Sequence, residues 1–287
     1  MTPRWSAVVL SQGTRPTELS AAVNSLLAQT GVTLEVIVVG NGWKASGLPP
    51  EVRTVSLKTN LGAPKGRNRG VKRAHGEFLY FLDDDAVLPE PATLARIEAL
   101  FDTDATLGVV QTRIETPDGE SLRRWVPRLR NKDPLVSSAV FSVLEGSVAA
   151  RSSTLQATRN WPGRFFYAHE GIELAWRTWD AGYRVEYRAD LRAVHPRVER
   201  TRHNDHMWQD ARNRVWLAKR NLPCPIAVAY ILDWGVLTLV RNVTHPRHAC
   251  AWMRGAWAGL ITDAGRRRPI SWATVWTMTK HGRPPVV

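Results

Sequence analysis

Cysteine is scarce in this chain: Cys224 and Cys250 are the only two. They form no metal-binding spacing and no disulfide framework, which excludes a stapled secreted domain and points to a reducing cytosol. Long apolar runs are lacking too. The longest, Pro225 to Val240, carries Asp233 and Trp234 at its middle, and the N-terminal MTPRWSAVVLSQG breaks at Gln12 and Gly13. Neither a membrane-spanning helix nor a signal peptide is expected. Internal repeats and low-complexity tracts are absent. Acidic residues are sparse at one end: Arg200 to Val287 holds 14 Lys/Arg against four Asp/Glu, so most of the net +13 lies there. The same stretch holds seven of the 13 tryptophans. A basic, Trp-rich tail implies an anionic partner, membrane phospholipid first and nucleic acid second.

What is present is enough apolar material for a core, 44% of 287 residues, which excludes global disorder. Ala7–Leu10, Leu34–Val39, Val52–Leu57 and Glu77–Leu82 read as strands. Thr17–Gln29 reads as a helix by its i, i+3, i+4 apolar spacing, Pro64–Ala74 as a basic helix and Pro91–Phe101 as a further helix. This alternation predicts an α/β fold with a mixed, mostly parallel sheet flanked by helices. Beyond it, Leu107–Arg113 is a strand, Glu115–Pro134 a polar irregular lobe, and Val140–Arg151 an apolar segment interrupted by Glu145-Gly146-Ser147. Glu170–Ala181 reads as a helix, Tyr183–Tyr187 and Ala193-Val194 as short strands, and the chain after about Asn204 as helical.

Ligands of parallel sheets bind at the carboxyl ends of strands. Asp83, Asp84 and Asp85 lie at one such end and Gly40-Asn41-Gly42 at another. Carboxylates two residues apart in a turn can converge on Mg2+ or Mn2+, which removes their repulsion and bridges to phosphate. A solvated acidic turn is the plain alternative. In NLGAPKGRNRG (Asn60–Gly70), Gly62 and Gly66 permit close backbone approach while Lys65 and Arg67 can face a diphosphate. Glu170 follows His169 and a polar loop, where a carboxylate can take a proton from a hydroxyl. Glu173 suits a helix N-terminus. His195, between a short strand and Pro196, can ligate a metal.

Taken in order, the segments VVGNGW, NLGAPKGRNRG…GEFLYFLDDD, HEGIELAWR…AGYRV and HP resemble the family 2 glycosyltransferases, over roughly Ser6 to Pro196. The resemblance implies a GT-A fold, a nucleotide-diphosphate sugar donor, Mg2+ or Mn2+, and inversion at the anomeric carbon. Carried over, Asp83 and Asp85 are the ends of the DxD motif, with Asp85 the direct metal ligand and His195 completing the site. Asn41, Lys65, Arg67, Asn68, Asp83 and Asp84 fall near the donor. Glu170 opens the counterpart of the family's ED motif and is the catalytic candidate, and Arg177 matches the arginine that follows on the helix. Two departures stand out: Gly40 replaces the Asp that commonly meets the nucleobase, and the ED pair is Glu170-Gly171.

The expected division is a transferase domain over residues 1–203 and a helical, basic, Trp-rich region over 204–287. A glycan or lipid-linked acceptor of the cell envelope would suit that region. It would place the protein in the cytoplasm, peripheral at the inner face of the membrane. The competing reading is a nucleic-acid- or membrane-binding protein on an inactive transferase fold. It leaves the aspartates unexplained and finds no nucleic-acid module in the chain.

Overall fold

The computed structural model describes residues 2–128, 133–197 and 206–286. The expected alternation is realised in β1 (Trp5–Ser11), α1 (Pro16–Leu27), β2 (Leu34–Asn41), β3 (Arg53–Leu57), α2 (Ala63–Val71), β4 (Phe78–Asp83), α3 (Thr93–Thr103) and β5 (Leu107–Glu115). After a 3-10 turn at Arg123–Trp125 come β6 (Ser138–Ala139), β7 (Ser147–Arg151), α4 (Ser152–Thr158), α5 (Glu170–Asp180) and β8 (Arg184–Val194). Helices α6 (His206–Asn221), α7 (Cys224–Arg241), α8 (Pro246–Ile261) and α9 (Trp272–Lys280) follow.

Among the described residues the strands form one sheet in the order β3-β2-β1-β4-β7-β5-β8-β6. The pairs β1–β2, β1–β4, β2–β3 and β5–β8 are parallel. β7 runs antiparallel to both β4 and β5, and β6 antiparallel to β8. The parallel strands therefore end on one edge, at Ser11, Asn41, Asp83, Glu115 and Val194. Because β7 is reversed, the turn that enters it reaches the same edge: the Asp83 N–H donates to the Gly146 carbonyl at 3.0 Å.

The apolar run of β4 is buried on both faces, as a central strand requires. Phe78, Tyr80 and Leu82 pack with α1 and α3, while Leu79 and Phe81 pack on the opposite face with Leu155 of α4 and Leu174 of α5. β8 corrects an expectation, since the two short strands read from the sequence are one. Its pairing slips between Thr112, opposite Arg188, and Arg113, opposite Arg192. The residues between form a bulge, and its polar Asp190 is what hid the strand.

A third apolar cluster joins Trp176 of α5 to Trp216, Leu217, Leu222, Tyr230 and Met278. The expected boundary between residues 203 and 204 lies outside the described residues, but α6 is fastened to α5. Glu173, 2% exposed, receives Arg220 through both oxygens (2.9 and 2.7 Å), Asn221 at 2.8 Å and Arg177 at 2.9 Å.

Helix α7 corrects the expectation that no segment suits a span. It has 18 residues and a mean hydropathy of 1.5, long and apolar enough by length and composition to cross a membrane, and 11% of it is buried. Asp233 and Trp234 interrupt it too little to change that. Val228, Leu232, Val236 and Val240, one helical turn apart, are 58–67% exposed and form an unpartnered apolar stripe.

Candidate active site

At the carboxyl edge of the sheet opens a cleft of about 430 Å³. Asn41, Arg67, Asp83, Asp84, Asp85, Glu170 and His195 line it, so most of the expected site residues meet there. Lys65, Asn68 and Arg177 do not. Successive residues of a helix are about 100° apart, so with Arg67 facing the cleft, Lys65 is turned to solvent, where it is exposed. Asn68 instead fastens a neighbouring loop, donating to the Trp161 carbonyl at 2.8 Å and accepting its N–H at 3.1 Å. Arg177 lies about 10 Å further along α5 than Glu170, in the Glu173 network. Gly66 serves packing rather than a ligand: a Cβ there would strike Leu10 of β1.

The three aspartates meet two guanidinium groups. Arg15, from the loop before α1, binds Asp84 Oδ1 at 2.5 Å and also pairs with Asp85. Arg67 Nη2 donates to Asp83 Oδ1 at 3.0 Å. Burial pushes the Asp84 carboxyl up, and the Ser11 hydroxyl and Arg15 oppose it.

Asp83, Asp85 and His195 each offer one ligand atom, all within 4.8 Å of one another. His195 Nδ1 lies 2.7 Å from the Pro196 carbonyl, which can only accept, so Nδ1 donates to it. Nε2 lies 3.1 Å from Asp85 Oδ1. Two carboxylates and an imidazole fit a divalent ion of the Mg2+ or Mn2+ type. The Trp125 ring packs in a T-shaped arrangement with the imidazole, the ring centroids 5.9 Å apart.

The cleft floor holds Arg67, Glu145 and Glu170. Arg67 stacks on Trp161, its Nη1 standing 3.6 Å from Glu170 Oε1. Glu170 is 3% exposed and its Oε2 has no partner. Burial first, then the charge of Glu145, pushes its carboxyl up to about 8 against the pull of Arg67. Burial also raises Glu145.

The loop leading into α5 is strained. Phe166, Ala168 and His169 have φ of 66°, 70° and 70°, a conformation costing about 1–3 kcal/mol per residue. Helix α6 holds it in place. The Asn213 amide donates to the carbonyls of Phe165 (2.9 Å), Tyr167 (2.5 Å) and Ala168 (3.2 Å). His169 Nε2 meets Asp210 at 3.1 Å. Burial holds His169 below its usual value, while Arg214 and His169 outweigh burial and keep Asp210 far below the carboxylate range. Phe166, Tyr167 and Gln209 line the cleft.

Arg15, Glu145, Trp125 and Gln209 are among the lining residues that sequence reasoning missed. For Glu145 there was one signal, the polar break in an apolar segment. The others come from loops or a distant helix. The Gly40 departure has a local cause: a Cβ there would collide with the carbonyl oxygen of Trp43, so the chain itself fills the space beside β2.

Residues 8–171 match the family Glycosyl transferase family 2. This is more than half of the chain, and the protein belongs to that family. Among curated proteins, a segment of 139 residues is 31% identical to the succinoglycan biosynthesis protein ExoO of Rhizobium meliloti, covering 46% of this chain and 39% of that protein. An uncharacterized glycosyltransferase of Nostoc sp. is 28% identical over 148 residues, 48% of this chain and 44% of its own. The matches thus span less than half the length of these relatives. Among solved structures, S. aureus TarS 1–349 in complex with UDP-GlcNAc superposes with a TM-score of 0.62 at 15% identity, over 88% of this chain and 79% of its own. The mannosyltransferase PcManGT from Pyrobaculum calidifontis, in complex with GDP-Man and Mn2+, gives 0.57 at 17% identity over 98% and 80%. The fold is that of the GT-A glycosyltransferases.

Proposed function

We propose that this glycosyltransferase moves a sugar, with inversion, from a nucleoside-diphosphate sugar to a hydroxyl of a cell-envelope glycan or lipid-linked acceptor. The observation that carries the reading is the cleft itself. It sets Asp83, Asp85 and His195 beside Arg67, with carboxylates on its floor. The donors printed for TarS and PcManGT, UDP-GlcNAc and GDP-Man, support the donor class, and the succinoglycan role of ExoO supports a glycan acceptor.

Asp83, Asp85 and His195 would hold Mg2+ or Mn2+. When bound, the ion supplies Lewis-acid neutralisation of the leaving diphosphate, worth several kcal/mol. Arg67 lies beside Asp83 and adds a fixed positive charge. Arg15 pairs with Asp84 and Asp85 and holds them in place. A carboxylate of the floor, where Glu170 is the candidate read from the sequence, accepts the proton of the attacking hydroxyl.

Thermal unfolding of the purified protein against a panel that includes UDP-GlcNAc and GDP-Man, each with and without Mn2+, tests this. Stabilisation should require both metal and one donor, and Asp85→Ala should abolish it. No shift with any donor would remove the reading.

We further propose that the enzyme works in the cytoplasm, peripheral at the inner face of the membrane. The apolar stripe of α7 supports this. So do exposed Trp257, Trp272 and Trp276, with exposed Arg241, Arg254 and Arg266–Arg268 nearby in the chain. Basic residues at an anionic leaflet contribute about 1 kcal/mol each. Sedimentation with vesicles of phosphatidylglycerol should exceed that with phosphatidylcholine and fall in Leu232→Asp/Val236→Asp. Equal sedimentation with both lipids, or none, would remove the membrane assignment. Binding of duplex instead would favour the nucleic-acid reading.

A further inference from the structure

Glu145 sits in the turn that enters β7, and its place depends on a missing side chain. Its Oε1 accepts the N–H of Gly171, in the first turn of α5, at 2.5 Å. In return the Val143 N–H donates to the Gly171 carbonyl at 3.4 Å. A Cβ on residue 171 would fall inside both the Val143 carbonyl oxygen and Glu145 Oε1. The turn can dock only because residue 171 is glycine, and the Glu145 carboxylate occupies the space a side chain there would need.

The docking also completes the helix. His169, at the N-cap position of α5, makes no side-chain cap, its ring being turned to Asp210. Glu145 supplies an acceptor to one of the free N–H groups of the first turn, where a negative charge is favoured. Capping uses one oxygen of the carboxylate. Both residues line the cleft, Glu145 half-buried and Glu170 3% exposed.

We infer that Glu145 is the carboxylate that takes the proton of the attacking hydroxyl, and that Glu170 behind it is a positioning residue for Arg67. The inference rests on the transferase reading above. In the step, the acceptor O–H bond breaks as its oxygen bonds the anomeric carbon. The bond from that carbon to the diphosphate oxygen breaks, the nucleoside diphosphate leaves with the electron pair, and the proton ends on Glu145. Glu170 cannot readily fill this role. Its Oε1 faces Arg67 at 3.6 Å and its Oε2 is sealed from solvent, whereas Glu145 commits only Oε1, to the Gly171 N–H.

Glu145→Gln separates this chemistry from the capping role, because the amide oxygen can still accept from Gly171. Two readouts are taken for the wild type, Glu145→Gln and Glu170→Gln. One is the Mn2+-dependent thermal shift with UDP-GlcNAc, GDP-Man and other nucleotide sugars. The other is release of nucleoside diphosphate from the donor that binds, with a bacterial membrane glycolipid extract as acceptor. Glu145→Gln should keep its melting temperature and donor shift while turnover at saturating donor falls about 100-fold or more. Glu170→Gln should keep the shift and lose less than about tenfold. Glu145→Gln turning over within about threefold of wild type, with Glu170→Gln abolishing turnover, would overturn the assignment alone and make Glu170 the base. A wild type that binds no donor would overturn the transferase reading, and this assignment with it.

Discussion

Helix α5 carries two buried glutamates less than one turn apart, and they are treated in opposite ways. Glu173 has both oxygens occupied, by Arg220, Arg177 and Asn221. Glu170 is as deeply buried, yet has one oxygen unpartnered and the other 3.6 Å from a guanidinium. The same residue type on the same helix is thus a joint in one place and an unmet electrostatic demand in the other. Buried charge that serves structure is fully paired; buried charge left incomplete marks where the protein waits for something else.

The sharpest way to break this comparison is Glu173→Ala. Removing one partner of a buried network leaves Arg177 and Arg220 uncompensated, and denaturant unfolding should show a loss of about 3–5 kcal/mol. Glu170→Gln should cost little or stabilise, because burial already disfavours the ionised form of the carboxyl and the amide carries no charge to bury; a loss as large as that of Glu173→Ala would erase the distinction. Next in size is Asn213→Ala, which frees three carbonyls of the strained loop. A loss of about 1–3 kcal/mol is expected, with a raised KM because Phe166 and Tyr167 line the cleft. An unchanged KM would mean the loop keeps its shape unaided.

The same contrast should show in the pH dependence of stability. The Glu170 carboxyl rises from 4.5 to about 8 on folding, so the folded state holds the proton more tightly than the unfolded one. Its contribution is complete below pH 4.5 and is lost as pH rises toward 8. Metal-free wild type should therefore lose stability relative to Glu170→Gln across that window. Parallel curves for the two proteins would place the carboxyl at its ordinary value.

The sheet and much of the cleft were legible because both depend on local pattern. A continuous apolar run ending in Asp83–Asp85 can only be a buried strand delivering charge to an edge, and His195 follows another strand ending on the same edge. Lys65 and Asn68 fall outside the cleft lining, because composition marks a basic helix without saying which side of it faces the ligand. Arg177, matched only as the arginine that follows on the helix, lies further along α5, because a helix carries residues away from the site as it extends. Arg15, Glu145 and Gln209 reach the cleft only through tertiary contacts, which leave no periodic trace. The α7 stripe was read as broken because Asp233 was given more weight than the apolar residues a turn away from it.

The reversed strand β7 has one more consequence. In a wholly parallel sheet, the segments at the ligand edge all leave strands, and moving a functional group means altering one of them. A strand running the other way brings an arriving segment to that edge, on an independent stretch of chain. A group lost from the start of α5 can then be restored from the far side of the floor, with no helix moved and no strand re-registered. Reactive chemistry can thus change its address in the sequence while keeping its position in space.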